Sequence, residues 1–212
     1  MYKQLCNWLS KVLLSFNRKG AVFLAITHPI RSLNDVRKLE AYYLHLGELR
    51  NHLLVVFSIQ TALRISDLLR LTWDDVYNFE NRCFRNSVTI TEHKTQKSKT
   101  FALNKRVITA LKHNLKTAKQ GGFLFKSRKG GAIGRVQAYR IIRAAGIALK
   151  FNFRVSCHSL RKTFGYLAWK NGASPTVIME IYNHTSFAVT RRYLGVMQED
   201  VDEVYHRLAS IF

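Results

Sequence analysis

The chain has 212 residues, of which 34 are Lys or Arg and 13 are Asp or Glu, giving a formal net charge of +21. Its hydrophobic share of 47% supplies a core and excludes a disordered chain, and the length suits one domain, or one domain with a short extension. A charge excess of this size repels itself unless a polyanion shares the surface, so nucleic acid is the first partner to test. Cys6, Cys83 and Cys157 are widely spaced and form no CxxC pair, which argues against a disulfide framework or a cysteine zinc site and fits a reducing cytosol. The longest apolar run, residues 21–26, is far short of the roughly 20 needed to span a bilayer. The expectation is a soluble, cytoplasmic protein without membrane contact.

Residues 1–30 carry four basic residues and no acid, and Trp8, Val12, Leu13 and Phe16 recur at helical spacing. This segment is expected to be a basic extension, either an arm or a poorly ordered piece, ahead of a domain at residues 31–212. A helix is predicted after Ser32 or Asn34, with Val36, Leu39, Tyr43 and Leu46 inward and Gly47 closing it. Residues 51–63 form a strongly apolar helix, and Ser66 is expected to cap a short one carrying Leu68, Leu69 and Leu71. The period then changes from helical to twofold. Val88 and Ile90 alternate, residues 100–103 do the same, and a basic turn separates them, which predicts a β-hairpin. Helices follow at 105–119, 135–149, 156–171, 175–182, a short stretch to Tyr193, and 200–211. The fold class is mainly α with a small antiparallel β-sheet.

Four local signals could carry chemistry, and each has a plain structural alternative. Arg64 sits between Ala62, Leu63 and Ile65 and is costly to bury without an anion, although Asp67 three residues on could pair with it. Lys94, Lys97 and Lys99 crowd the hairpin turn, where lysines usually form a solvated edge. His158 and Arg161 are three apart at a helix start, where donors favour an anion, although Ser156 or Ser159 could simply cap the helix. His184 and Tyr193 lie nine residues apart with Arg191 and Arg192 nearby; singly they would be packing residues. Together, two arginines, a lysine, two histidines and a tyrosine are the parts for phosphoryl transfer without a metal. There is no HExxH motif or paired-carboxylate motif, so no cofactor or metal is expected.

With these residues in order, the sequence resembles the tyrosine recombinase (phage integrase) family. "ALRISDLLRL" matches the family's first arginine box, "HSLR" its HxLR box and "NHTSFAVTRRY" its final His-to-Tyr box, and the 23 residues from Arg161 to His184 match the family spacing. The resemblance covers about residues 31–212. It implies that Arg64 and Arg161 clamp a scissile phosphate with His184 as a hydrogen-bond donor, that His158 assists proton transfer, and that Lys94 is the general acid. It further implies that Tyr193 forms a 3′-phosphotyrosyl link and that Asp67 orients Arg64. Asn183 departs from the glycine usual before the second histidine. Relatives commonly carry a separate N-terminal DNA-binding domain, and with about 30 residues ahead of the matching region this chain is similar to single-domain invertases that switch fimbrial promoters. The implied partners are double-stranded DNA with a specific site, a tetramer on that DNA, and accessory DNA-bending proteins. Helix 135–149 is the expected base reader through Arg135, Gln137, Arg140 and Arg143, with Lys97 and Lys99 also on DNA. The stripe Val201, Val204, Leu208 and Ile211 of the last helix either completes the chain's own core or docks on a neighbouring protomer. The charge is concentrated: residues 91–150 hold 15 basic residues and one acid.

Overall fold

The computed structural model describes residues 27–209; the expected helix at 8–16, most of the basic extension, and residues 210–212 lie outside them. Helix α1 (Leu33–His45) starts where the Ser32 hydroxyl accepts the Asp35 N–H, and the chain reverses after it through Gly47 at φ 69°. Helix α2 (Leu49–Gln60) is buried along residues 51–59 and forms the centre of the molecule, packed by α1, by α5 (Lys105–Asn114) and by α7 (Cys157–Lys170). An apolar sequence with almost no polar face can only be a helix covered on every side.

Beyond α2 the backbone breaks at Ala62, which takes the left-handed conformation at φ 53°. Arg64, not Ser66, is the N-cap residue of the short helix α3 (Ile65–Leu68); Ser66 lies inside that turn. Helix α4 (Trp73–Val76) follows behind a reciprocal Thr72–Asp75 capping box. Two antiparallel two-stranded sheets come next, β1 (Tyr77–Asn78) with β2 (Cys83–Phe84) and β3 (Ser87–Thr91) with β4 (Ser98–Ala102). In the second, Ile90 pairs with Lys99 and Val88 with Phe101, so those four side chains share the inward face. Helix α5 is capped by Asn104 and tightens into a 3-10 turn at Leu115–Thr117. Helix α6 (Arg135–Ala148) buries Ala138, Ile141, Ile142 and Ala145, and the Tyr43 hydroxyl ties α1 to it by donating to the Ile141 carbonyl at 2.7 Å.

Helices α8 (Pro175–Tyr182), α9 (Phe187–Leu194) and α10 (Gln198–Ala209) complete the described chain. A second, smaller core of Ala62, Ile178, Tyr182 and Leu194 joins the break after α2 to α8 and α9. Residues 27–31 cross this end and fasten it. The Ile30 N–H donates to Thr163 Oγ1 (2.8 Å), Lys162 Nζ donates to the Thr27 carbonyl (2.6 Å), and Arg31 donates to the Gly195 carbonyl just past α9 (3.2 Å). Helix α10 is held by its polar side: buried Asp200 pairs with Arg31 (2.8 Å) and Lys170 (3.2 Å). Val201, Val204 and Leu208 are 40–54% exposed, so the apolar stripe does not complete the chain's own core. No helix among the described residues is long and apolar enough to cross a membrane.

Helix α7 approaches α8 through Gly165, where an added Cβ would lie 2.4 Å from the Tyr182 hydroxyl oxygen and 2.8 Å from its ring. That hydroxyl donates to the Arg161 carbonyl (2.6 Å) and is fully buried, so it has nowhere to retreat. Gly165→Ala is therefore expected to cost about 2 to 3 kcal/mol of overpacking, checked by urea denaturation against wild type.

Candidate active site

Arg161 occupies the middle of the site at 2% exposure. A guanidinium at that depth needs acceptors, and two backbone carbonyls supply them. Arg161 Nη1 donates to the Ala62 carbonyl and Nη2 to the Tyr182 carbonyl (3.3 Å), while its guanidinium lies over the Tyr182 ring, 4.7 Å from the centroid. Its Nε is buried without a hydrogen-bond partner, a donor left over for an anion. Ala62 and Tyr182 both stand where a helix has just run out, so their carbonyls have no partner in the helical ladder.

Tyr193, on α9, is half-buried in an aromatic and cationic nest. Its ring centroid lies 5.0 Å from that of His158, 4.6 Å from His184 and 5.1 Å from Tyr182, and Arg161 and Lys162 each stand 5.8 Å from it. His184 stacks on Tyr182 at 5.0 Å and shares a hydrogen bond of 3.0 Å between its Nδ1 and Thr190 Oγ1. Asn183, where a glycine was expected, holds the left-handed cap of α8 at φ 53°, a conformation asparagine tolerates better than most residues. The structure thus gathers Arg64, His158, Arg161, His184 and Tyr193 from α3, α7 and the α8–α9 corner.

The β3–β4 hairpin alters two of the expected roles. Lys94 is exposed on the turn, and so is Lys97. Lys99, expected on the DNA face, is instead 6% exposed and points inward, with Nζ 3.5 Å from the same Ala62 carbonyl that accepts from Arg161. The cause is strand parity: it shares a face with buried Phe101. Asp67 does not hold Arg64; its Oδ1 accepts the His93 backbone N–H (2.9 Å) and anchors the hairpin. The carboxylate on Arg64 is Glu92, a residue the sequence reading passed over, with Oε1 2.6 Å from Nη1 and no solvent exposure. Glu92 also accepts from Thr95 Oγ1 (2.7 Å) and from Asn183 Nδ2 (3.1 Å). It is the single acid among residues 91–150, a signal available beforehand. On α6, Arg135, Gln137 and Arg140 are exposed and Arg143 is half-buried.

Packed cations set the protonation of their neighbours. Burial, and then Arg161, push the Lys99 ammonium down to about 7, against the opposing pull of Glu92. Burial and the surrounding cations, Arg161 first among them, lower the His184 imidazole to about 4. Burial and Lys162 do the same for His158, whose exposed edge lets water moderate the effect. Burial would raise the Glu92 carboxyl, but hydrogen bonds from Thr95, Arg64 and Asn183 outweigh it and hold it at about 2. At neutral pH the site holds positive charge on two arginines, neutral imidazoles beside a tyrosine, and the Glu92 carboxylate against Arg64, with a second buried acid, Asp67, under the hairpin. Among the described residues no group of three or more His, Cys, Asp or Glu side chains is placed to hold a metal ion.

A helical domain carrying a small hairpin, with two arginines, two histidines and a tyrosine converging between α3, α7 and α9, defines the catalytic domain of a tyrosine recombinase. The chain belongs to the phage integrase family, whose model matches residues 29–199, and its activity class is that of a tyrosine-type site-specific DNA recombinase. It is 34% identical to a probable integrase/recombinase, YoeC, of Bacillus subtilis (strain 168), over 85% of this chain and 96% of the relative. It is 31% identical to the type 1 fimbriae regulatory protein FimE of Escherichia coli (strain K12), over 68% of this chain and 73% of that one. Among solved structures, XerA recombinase superposes with a TM-score of 0.70 at 20% identity, over 90% of this chain and 66% of that chain. XerH recombinase bound to a palindromic difH substrate superposes with a TM-score of 0.67 at 20% identity, over 82% and 51%. The chain therefore spans about two thirds of one of these structures and half of the other.

The lowered histidines fix a pH response. With a folded value of about 4 and an ordinary value of 6.5, His184 stays neutral in the folded state while the unfolded chain takes up a proton as pH falls below about 6.5. Stability is thus expected to fall with pH between about 6.5 and 4, with contributions of the same sign from His158 and from His52, which burial also lowers. Glu92 adds a further loss only as pH drops from about 4.5 toward 2. His184→Gln should make the decline between pH 7 and 5 shallower, read by urea denaturation at each pH; an unchanged slope would remove His184 as a contributor.

Proposed function

We propose that this domain cleaves and rejoins double-stranded DNA at a specific site through a covalent link between Tyr193 and a 3′ phosphate. The observation that carries the reading is the placement of the Tyr193 ring against His158 and His184, above the buried Arg161 guanidinium. In the step, Tyr193 Oη bonds to phosphorus and the bond from phosphorus to the 5′ oxygen breaks. The tyrosine proton passes to a neutral imidazole, His158, while His184 donates to a non-bridging oxygen. Arg64 and Arg161 hold the non-bridging oxygens as charge builds on them. The departing 5′ oxygen takes a proton from a hairpin lysine. Attack by a 5′ hydroxyl reverses every bond change, so religation needs no energy source.

Two lysines are candidates for the acid. Lys94 holds the position implied by the family motif and needs the turn to close on DNA. Lys99 is favoured by its buried place beside Arg161 and by its value of about 7, which matches an acid working at neutral pH. A 5′-bridging phosphorothioate substrate needs no such proton, so it rescues a variant of the true acid, Lys94→Ala or Lys99→Ala, far more than Arg64→Ala.

The exposed Arg135, Gln137 and Arg140 are proposed to face base edges, with Arg143 at the margin, and Lys97 to meet a phosphate. The exposed stripe of α10 is proposed to dock on a neighbouring protomer in a tetramer on DNA, with accessory DNA-bending proteins assisting assembly. Residues 1–30, of which the last two are buried against the domain, are proposed as a basic arm continuous with the catalytic domain at 31–212.

Two assays test this. Incubation with supercoiled plasmid carrying the DNA that flanks the gene should give a covalent protein–DNA adduct that survives denaturation. Tyr193→Phe should abolish it, and Arg64→Ala or Arg161→Ala should slow it by about 100- to 1000-fold; an adduct undiminished in Tyr193→Phe would sink the assignment. Binding should also weaken steeply with salt. Replacing exposed Lys112, Lys116 and Lys119 with Gln should reduce the logarithmic salt slope by up to about 3 across all sequences alike; an unchanged slope would place the DNA on another face.

A further inference from the structure

Glu92 is a fully buried carboxylate bonded to Arg64, the guanidinium assigned above to the scissile phosphate. A half-buried arginine without an anion beside it would carry a poorly compensated charge, and Glu92 meets that need. A phosphodiester oxygen and a carboxylate are chemically alike in this respect: each is a compact anionic acceptor, and only one can take the inward face of Arg64 Nη1. We propose that Glu92 is an internal placeholder for the scissile phosphate, an anion that occupies Arg64 until DNA enters and then yields it. The proposal rests on the reading of Arg64 as a phosphate clamp.

Three features support displacement over a permanent triad. Glu92 is the first residue of the hairpin turn, next to exposed His93 and Lys94, so its side chain has a route outward as the turn opens. Its hold is made of individual bonds to three separate elements: Arg64 on the α2–α3 connection, Thr95 within the turn, and Asn183 at the α8–α9 corner. The Asn183 donor is supplied by a residue whose left-handed backbone a glycine would satisfy equally well, so the side chain serves the latch and not the turn. The arrangement couples entry of the phosphate to release of the turn that carries Lys94. It also keeps an unpaired cation from attracting other anions while no DNA is bound.

The test uses inorganic phosphate as the probe, titrated against the full chain and followed by 31P line width. Glu92→Gln keeps the shape and the Thr95 contact but removes the competing charge. It should tighten phosphate binding about tenfold, and Asn183→Gly, which loses only the latch, should tighten it about threefold. The gain should vanish in the Glu92→Gln, Arg64→Ala double variant. A merely structural role for Glu92 predicts the opposite sign, because a disordered Arg64 binds phosphate less well. Equal or weaker binding in Glu92→Gln, or a gain that persists without Arg64, overturns the proposal; if Glu92→Gln does not fold, Asn183→Gly decides on the same criterion. The titration requires neither a DNA site nor Tyr193. Failure of the adduct assay would therefore indict the recombinase reading, and failure of the titration would indict the placeholder.

Discussion

The structure depends on where a buried guanidinium finds its acceptors. Arg161 has almost no exposure and is neutralised by no carboxylate of its own; its two hydrogen-bonded partners are the carbonyls of Ala62 and Tyr182. Both carbonyls terminate helices, α2 at its left-handed break and α8 at its left-handed Asn183 cap. The C-terminal end of a helix carries unpaired carbonyls and partial negative charge, so two helix ends converging on one side chain make a cation site from backbone alone. This explains why the chain accepts an alanine in left-handed backbone at position 62. The turn costs strain, and it aims a carbonyl that no side chain could supply at that spacing. It also explains why Tyr182 is packed so tightly. Its carbonyl, its ring and its hydroxyl each touch Arg161, and Gly165 exists to let it in.

The second organising fact follows from the first. Once Arg161 is fixed, Arg64 and Lys99 fall close enough that like charges crowd a region of low dielectric, where repulsion is several times stronger than in water. The free protein relieves this in two ways. It lets titratable neighbours give up their charge, burial first and the nearby cations second lowering the two histidines and Lys99, and it sets the Glu92 carboxylate against Arg64. Neutral imidazoles beside Tyr193 are also what proton acceptance requires. The pressure that sets the protonation of these side chains is the same one that suits them to proton transfer.

Much of this was legible in the sequence. Helices α1, α2, α5, α6, α7 and α8, and the β3–β4 hairpin, follow from apolar period, caps and glycines, with ends displaced by one to a few residues. Helix α4 and the β1–β2 pair were not, because a four-residue helix and two-residue strands are too short to show a period. Of the site, the tyrosine, both histidines and both arginines were found because each sits in a local box. What escaped depends on distance in the chain. Asp67 looked like the partner of Arg64 because it is three residues away, yet Glu92 holds it from 28 residues away. The carbonyls of Ala62 and Tyr182 have no side-chain signature at all. Lys99 could have been placed: Val88 and Ile90, and then Phe101 and Leu103, already set the inward parity of the hairpin, and Lys99 continues it.

Charge is therefore handled differently inside and outside the molecule. Residues 91–150 carry 15 basic side chains and one acid. Of these, Lys94, Lys97, Lys112, Lys116, Lys119, Lys126, Arg128, Lys129, Arg135 and Arg140 are exposed, where water and salt screen their mutual repulsion and leave a long-range field. Lys99 and the single acid are the two that turn inward. An exposed surface can leave its charge unbalanced, because solvent and salt bear the cost. The clamp cannot, since little solvent reaches Arg161 and none reaches Glu92. The single acid of the segment consequently belongs at the bottom of the site rather than anywhere on the face, and its position is dictated by the arginine it must balance.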